Sequence, residues 1–327
     1  MGALRLLAVA SLMTLGTACP AVADASLDWH RGRTCSVTIT RGENIARGVS
    51  ATPSKGTLCI HSGNYLLVRS VLITRPISVR GVDTGRGLPV ITQSGAFAMF
   101  TINADDVEIA FLEAHGYEHA HTNSCAGSQF VIGSGRGFQN IHDNILDTFT
   151  CGINLDGAHD AMIQNNRIST VKYGGIVLSP GVNIWIAGNQ LADIGADGQL
   201  GLNAYGIVAS GPEGSPSGRV TIINNSVVNA PTWECYDAHG GPSVYFFNNY
   251  CYRPGTVGIN AADANDAVIT DSKVHGNTID AGGLPASQEA ASIVVTGDGE
   301  VTANTIIGEG GCNIFAPKAT VSDNICK

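Results

Sequence analysis

The segment Thr232-Trp233-Glu234-Cys235-Tyr236-Asp237-Ala238-His239-Gly240-Gly241 sets a carboxylate and an imidazole two residues apart. Alternate side chains of an extended strand share a face, so Asp237 and His239 can address one substrate. A carboxylate beside an imidazole orients the ring and raises its basicity, as a general base or acid requires. Proton transfer at a second point needs a partner, and Tyr173 and Tyr205 are the candidates, with Tyr173 completing the catalytic set. Asp156, Glu234 and Asp237 are also the carboxylates that could pair as acid and base of a hydrolase. A second cluster, Glu113-Ala114-His115-Gly116-Tyr117-Glu118-His119-Ala120-His121, holds three imidazoles, and His115, His119 and His121 are candidate ligands of a transition metal. Gly116 and the following Asn123-Ser124-Cys125 suggest a loop, where such residues are ordinary or could rim a groove.

These residues acquire positions from a repeat. Asparagine followed two residues later by an apolar residue or cysteine recurs at Asn144, Asn166, Asn189, Asn225, Asn249, Asn277, Asn304 and Asn324, at intervals of 22, 23, 36, 24, 28, 27 and 20 residues. A period in the low twenties, with short alternating segments and abundant glycine, predicts an all-β, single-stranded solenoid. Asparagine tolerates left-handed turns and can stack its amide in a ladder, so these eight are expected to be architecture.

A second phrase, Gly-Ile-x-apolar, aligns Gly152-Ile153, Gly175-Ile176, Gly206-Ile207, Cys235-Tyr236, Gly258-Ile259 and Ser292-Ile293. The second residue of each should point inward. The outward slots are Asn154 and Asp156, Val177 and Ser179, Val208 and Ser210, Asp237 and His239, then Asn260 and Ala262, on coils about 4.8 Å apart. Asn154, Asp156, Tyr205, Trp233 and Asn260 are the expected substrate contacts. The insertion Ala192–Tyr205 should wall a cleft.

The repeats are expected over 96–327, behind an N-terminal cap and first coils over 24–95. Residues 1–23 read as a signal peptide: Arg5, a short apolar stretch and the small-residue site Ala21-Val22-Ala23. Its loss moves the net charge from −9 to −10, since Arg5 is the only charged residue removed. An acidic surface argues against nucleic acid and anionic membranes as partners, and no later stretch is long enough to span a membrane. Eight cysteines remain, which in an exported chain points to disulfides, with Cys35–Cys59, Cys125–Cys151, Cys235–Cys251 and Cys312–Cys326 as the expected pairs. A periplasmic or secreted location follows.

The repeat pattern over residues 55–327 resembles the right-handed parallel β-helix families, which include pectate lyases and alginate-active enzymes. Asp237-Ala238-His239 is similar to the Asp-Pro-His motif of mannuronan C5-epimerases, with Ala238 in place of proline and Gly240 in place of the following acid. The resemblance implies a polysaccharide partner and proton abstraction at C5 of a uronic acid, by a lyase or a C5-epimerase. The substrate carboxylate must then be neutralised. Lys172 and Arg253 are the nearby cations, and bound calcium, recruiting Asp237, Asp156 or Asp197, is the alternative. The pectate-lyase signature Arg-x-Pro-x-x-Arg is missing, although Arg253-Pro254 is a fragment of it. The rival expectation is a non-catalytic glycan-binding or envelope-associated β-helix, using Trp233, Tyr236 and the asparagine-rich face.

Overall fold

The computed structural model describes residues 34–118, 123–195, 203–212, 214–264, 267–282, 293–308 and 313–327. The eight asparagines form one continuous column. Each side-chain amide donates to the next side-chain oxygen, from Asn144 to Asn166 at 3.0 Å through Asn225 to Asn249 at 3.1 Å to Asn304 and Asn324 at 2.9 Å. The second amide hydrogen goes to a carbonyl one coil back, as Asn225 donates to Ile186 O at 3.0 Å. The oxygen also accepts the preceding asparagine's backbone N–H, as Asn225 Oδ1 does from Asn189 at 2.9 Å. Asn144 through Asn304 are at most 2 % exposed, so these bonds replace water that cannot reach the groups.

The left-handed backbone expected at the asparagines lies one residue earlier. Asp143, Asn165, Asn224, Asn248, Ala303 and Asp323 have φ between 52° and 57°, and Gly188 and Gly276 fill the same place. The turn residue bends the chain, and the asparagine that follows turns its amide inward to satisfy the bend.

The carbonyls that the ladder caps belong to the core row of a 13-stranded parallel sheet. Leu58, Val79, Ile109, Ile141, Ile163, Ile186, Ile222, Phe246, Val274 and Val301 stack one per coil, all 0 % exposed. A second, 19-stranded sheet bends around a corner within the long strands Ile145–Asp156 and Arg167–Leu178. Parallel strands, coil upon coil, make a parallel β-helix whose lumen is the hydrophobic core. The helix Ile45–Ala51 buries Ile45 and Val49 at the N-terminal end, with Asn44 as N-cap. Pairing crosses residues 95 and 96 without interruption, through Val71–Ile73 against Ala98–Ile102.

The Gly-Ile phrase has its cause at that corner, where two successive residues face the lumen. A Cβ on Gly175 would lie 2.3 Å from Leu191 Cδ2, and one on Gly206 would lie 2.4 Å from the Cys235 carbonyl. Cys235 takes the next such slot and bonds to Cys251 inside the tube. Cys35–Cys59 and Cys125–Cys151 also form as expected. Cys326 is disulfide-bonded, and its expected partner Cys312 lies outside the described residues.

One charged group is built into the first sheet. His142 is 1 % exposed, and its Nδ1–H donates to Asp143 at 2.7 Å and its Nε2–H to Glu108 at 3.0 Å. A ring that donates from both nitrogens is an imidazolium. Burial opposes that charge, but the two carboxylates outweigh it and raise the His142 pKa. Burial likewise opposes the Glu108 charge, yet bonds from His142 and Ser78 lower its pKa. The raised histidine contributes stability that is complete below its unfolded pKa of about 6.5 and fades as pH climbs through the folded value. The depressed glutamate contributes above its unfolded value of about 4.3 and fails as pH falls through its folded one. Urea unfolding should therefore show stability declining above neutrality, with a shallower slope in a His142→Gln variant; equal slopes would remove His142 from the account.

Candidate active site

The register places the outward slots as aligned. Asn154, Val177, Val208, Asp237 and Asn260 are successive partners, and His239 pairs with Ala262. Ile153, Ile176, Ile207, Tyr236, Ile259 and Ile293 are all 0 % exposed in the lumen. The corner adds a further outward row just before these, Cys151, Gly174, Tyr205 and Glu234. Strand Arg167–Leu178 carries one extra residue there, a bulge that leaves Tyr173 beside the row.

An outward slot is not an exposed one. Cys151, Val177, Tyr205 and Val208 form a small apolar cluster outside the tube, with Cys125, Tyr173 and Trp233 packed against it. The Cys125–Cys151 bond ties the segment around residue 125 onto this face. Beneath that layer Asp237 is 0 % and Glu234 5 % exposed, which corrects the expectation of an open face. Asp237 Oδ2 lies 2.6 Å from His239 Nε2, and Asp237 Oδ1 accepts from Asn260 Nδ2 at 3.1 Å. The His239 side chain remains 28 % exposed, and its Nδ1 has no partner among the described residues. Contact with Asp237 raises the His239 pKa against the opposing effect of burial.

Tyr173, Tyr205 and His239 stand in single file on three successive coils. Their rings meet edge to face, with centroids 5.6 Å and 5.9 Å apart. Tyr205 is 3 % exposed and its hydroxyl accepts from Asn203 at 2.8 Å, so it separates the other two rather than facing a substrate. Burial, then the Asp237 charge, raises the pKa of both tyrosines. Tyr173 borders a groove of about 470 Å³ with Asn154, Asp156, Ser179, Ser210 and Pro212. Ser210 precedes His239 by one coil on the same row, so the groove stops one coil before the imidazole. Asn123 accepts the Asn203 backbone N–H at 2.8 Å; residues 196–202 of the insertion expected to wall a cleft lie outside the described residues.

Other expected residues are not brought together. Asp156 is three coils from Asp237, about 14 Å by strand spacing, so no single ion can join them; Asp197 lies outside the described residues. Arg253 sits at a different corner, in a left-handed column with Thr148, Thr170, Asp193 and Asn229. Lys172 is half-buried in the bulge beside Tyr173. Trp233 is half-buried between the two apolar clusters. Tyr236 is sealed in the lumen, where its hydroxyl lies 2.9 Å and 2.8 Å from the Asn225 and Tyr250 carbonyls. The buried asparagine column offers no face to a sugar, so Tyr236 and the asparagines drop out of the glycan-binding expectation. His115 bonds Glu113 at 3.0 Å and faces Asp147 at 3.8 Å; His119 and His121 lie outside the described residues. Among the described residues, only Glu234, Asp237 and His239 gather metal-capable donor atoms, all within 4.8 Å.

The right-handed β-helix family model matches residues 129–326, more than half of the chain. The chain belongs to the right-handed β-helix family. No curated protein matches the sequence significantly. Among solved structures, this β-helix is similar to an alginate lyase from Paenibacillus sp. str. FPU-7, at 12 % identity and TM-score 0.59, over 88 % of this chain and 94 % of that one. It is similar to a rhamnogalacturonan lyase at 13 % identity and TM-score 0.66, over 88 % and 87 %. A third similar structure is the catalytic unit of an α-1,3-glucanase from Streptomyces thermodiastaticus strain HF3-3, at 16 % identity and TM-score 0.57, over 90 % and 69 %. Such identities speak for a shared β-helix alone.

Proposed function

We propose that this protein is an exported glycan-active enzyme that removes the C5 proton of a uronic acid unit, as a lyase or a C5-epimerase. The observation that carries the proposal is the His239–Asp237 contact of 2.6 Å, a partly exposed imidazole backed by a fully buried carboxylate, one coil beyond a polar groove. A binding surface has no need of a buried charge, which is costly unless paired. His239 Nδ1 takes the C5 proton, and Asp237 stabilises the imidazolium that forms. Tyr173, held neutral by its raised pKa, is the proton donor. In a lyase the C4–O4 bond breaks, O4 takes the tyrosine proton and a C4–C5 double bond remains. In an epimerase the carbanion takes a proton on its opposite face. Asp156 and Asn154 line the groove, and a calcium ion there, shared with the substrate, would supply the charge that the uronate carboxylate requires.

Incubating the protein with a panel of uronans, alginate and rhamnogalacturonan included, with and without calcium, tests this. A lyase yields unsaturated, ultraviolet-absorbing ends; an epimerase alters C5 configuration in the proton NMR spectrum. Binding without either product would leave the protein as a glycan-binding wall component. Cleavage of a neutral α-1,3-glucan instead would overturn the uronate chemistry, since Glu234 and Asp237 lie too close together and too deep for a hydrolase pair.

A further inference from the structure

We propose that Glu234 is a positioning residue of this site, a neutral carboxylic acid whose hydroxyl donates to Asp237 and leaves the pair's single negative charge on Asp237, facing His239. Its functional meaning rests on the proton-transfer function above. Glu234 and Asp237 rise three residues apart from one strand into the same covered space, 5 % and 0 % exposed. Glu234 Oε2 and Asp237 Oδ2 have no in-line hydrogen-bond donor, although the side chains lie together. Two buried carboxylates with donor atoms within 4.8 Å of each other, each keeping an oxygen that no hydrogen bond satisfies, lack one thing, a proton to share.

The surrounding groups do not supply an alternative charge. The strand before contributes Tyr205, the strand after contributes Asn260, and the bulge contributes Tyr173. All three are uncharged, and Asn260 already donates to the other Asp237 oxygen at 3.1 Å. Among the described residues, His239 is the group with a measured contact to Asp237 that can be positive. Two ionised carboxylates against one imidazolium would leave a net buried negative charge, which such sites resolve by keeping a proton. Burial first, and the Asp237 charge second, push the Glu234 pKa far above the carboxylate range.

The division of charge matters for the base. With both acids ionised, the ring would stay an imidazolium and accept nothing. With Asp237 as the protonated partner, the ring would lose its counter-charge. A neutral Glu234 keeps Asp237 charged and the ring titratable.

The full chain, dialysed against a chelator, gives two readings that do not depend on turnover. Infrared spectra at neutral pH should show a protonated buried carboxyl band that disappears in Glu234→Gln. Histidine ¹⁵N NMR, with the His239 signal assigned by its loss in His239→Gln, should give the same His239 midpoint in wild type and Glu234→Gln, because glutamine preserves a neutral donor. A midpoint lower by about one unit or more in Glu234→Gln would mean that an ionised Glu234 had been holding it up, and would overturn the proposal. So would the absence of the carboxyl band in the wild-type protein, a reading that survives even if the variant fails to fold. Movement of the His239 signals on chelation would show a divalent cation in the proton's place, with the same consequence. An inactive protein with a neutral Glu234 sinks only the proposed function; an active one with an ionised Glu234 sinks only this inference.

Discussion

Replacing His239 with glutamine is expected to lower kcat by about 10²- to 10⁴-fold, the usual contribution of a positioned acid or base, while the fold survives. Glutamine can still donate a hydrogen bond to Asp237, whose carboxylate is fully buried and would otherwise be left without its partner. It cannot accept the substrate's proton. Alanine should cost as much activity and some stability besides, because it strips a buried charge of its counter-group. Thermal unfolding measured beside kcat separates the two effects. Loss of activity only in proportion to loss of folded protein would reduce His239 to a structural residue.

The pH profile gives an independent check with a defined sign. A base must be neutral to act, so kcat/KM should rise with pH through the free-enzyme pKa of His239. Asp237 raises that pKa above the ordinary value, which places the acidic limb above about 6.5. Asp237→Asn removes the charge, and the limb should move downward in pH as the maximal rate falls. An unmoved limb would mean that another group is titrating.

The largest stability effect is expected inside the asparagine column. Asn225→Leu removes the acceptor for the Asn189 backbone N–H at 2.9 Å and the Asn189 side-chain amide at 3.0 Å. It also removes donors to Asn249 Oδ1 at 3.1 Å and Ile186 O at 3.0 Å. The Asn189 backbone N–H is thereby orphaned at a site 0 % exposed, while its side-chain amide is left with the Ile163 and Ala187 carbonyls alone, and each lost partner costs about 1–3 kcal/mol. The total should reach about 3–6 kcal/mol, beyond the ordinary range for a point substitution. Asn324 supplies the contrast. It is the last rung and half-exposed, so water can take its place and Asn324→Leu should cost about 1 kcal/mol. Urea unfolding of both variants decides it: equal costs would mean that the column contributes by packing rather than by hydrogen bonding.

The same column shows how far the primary structure reaches. Its asparagines carry the coil register because the interval between them is the length of a coil, and the pairings of Asn154, Val177, Val208, Asp237 and Asn260 follow from counting along it. The Cys235–Cys251 bond follows from the same counting, and Cys35–Cys59 and Cys125–Cys151 form as expected beside it. Glycine at 152, 175 and 206 was legible as a repeat, though its cause, a lumen corner too tight for a Cβ, was not.

Glu234 was named only as a possible hydrolase acid, because in an alternating strand it sits one step off the slots counted from Asp237. The bend between residues 234 and 237 puts both on the outer side, and a count of two cannot register a corner. Arg253 looked close to the site by position in its coil, but the left-handed corner at that residue carries it elsewhere.

What the amino-acid order determined by itself, then, is periodic: which residues stack, which face the lumen, and which coil breaks the pattern with Asp237 and His239. Those follow from local spacing, since strand alternation and coil length are properties of short segments. Only the tertiary structure decided that the outer face at this coil is covered, by Tyr205, Val208, Trp233 and the Cys125 held on it by its disulfide. That covering arises from segments distant in the chain. It excludes water from two carboxylates and so turns a pair of outward side chains into a site where charge must be shared.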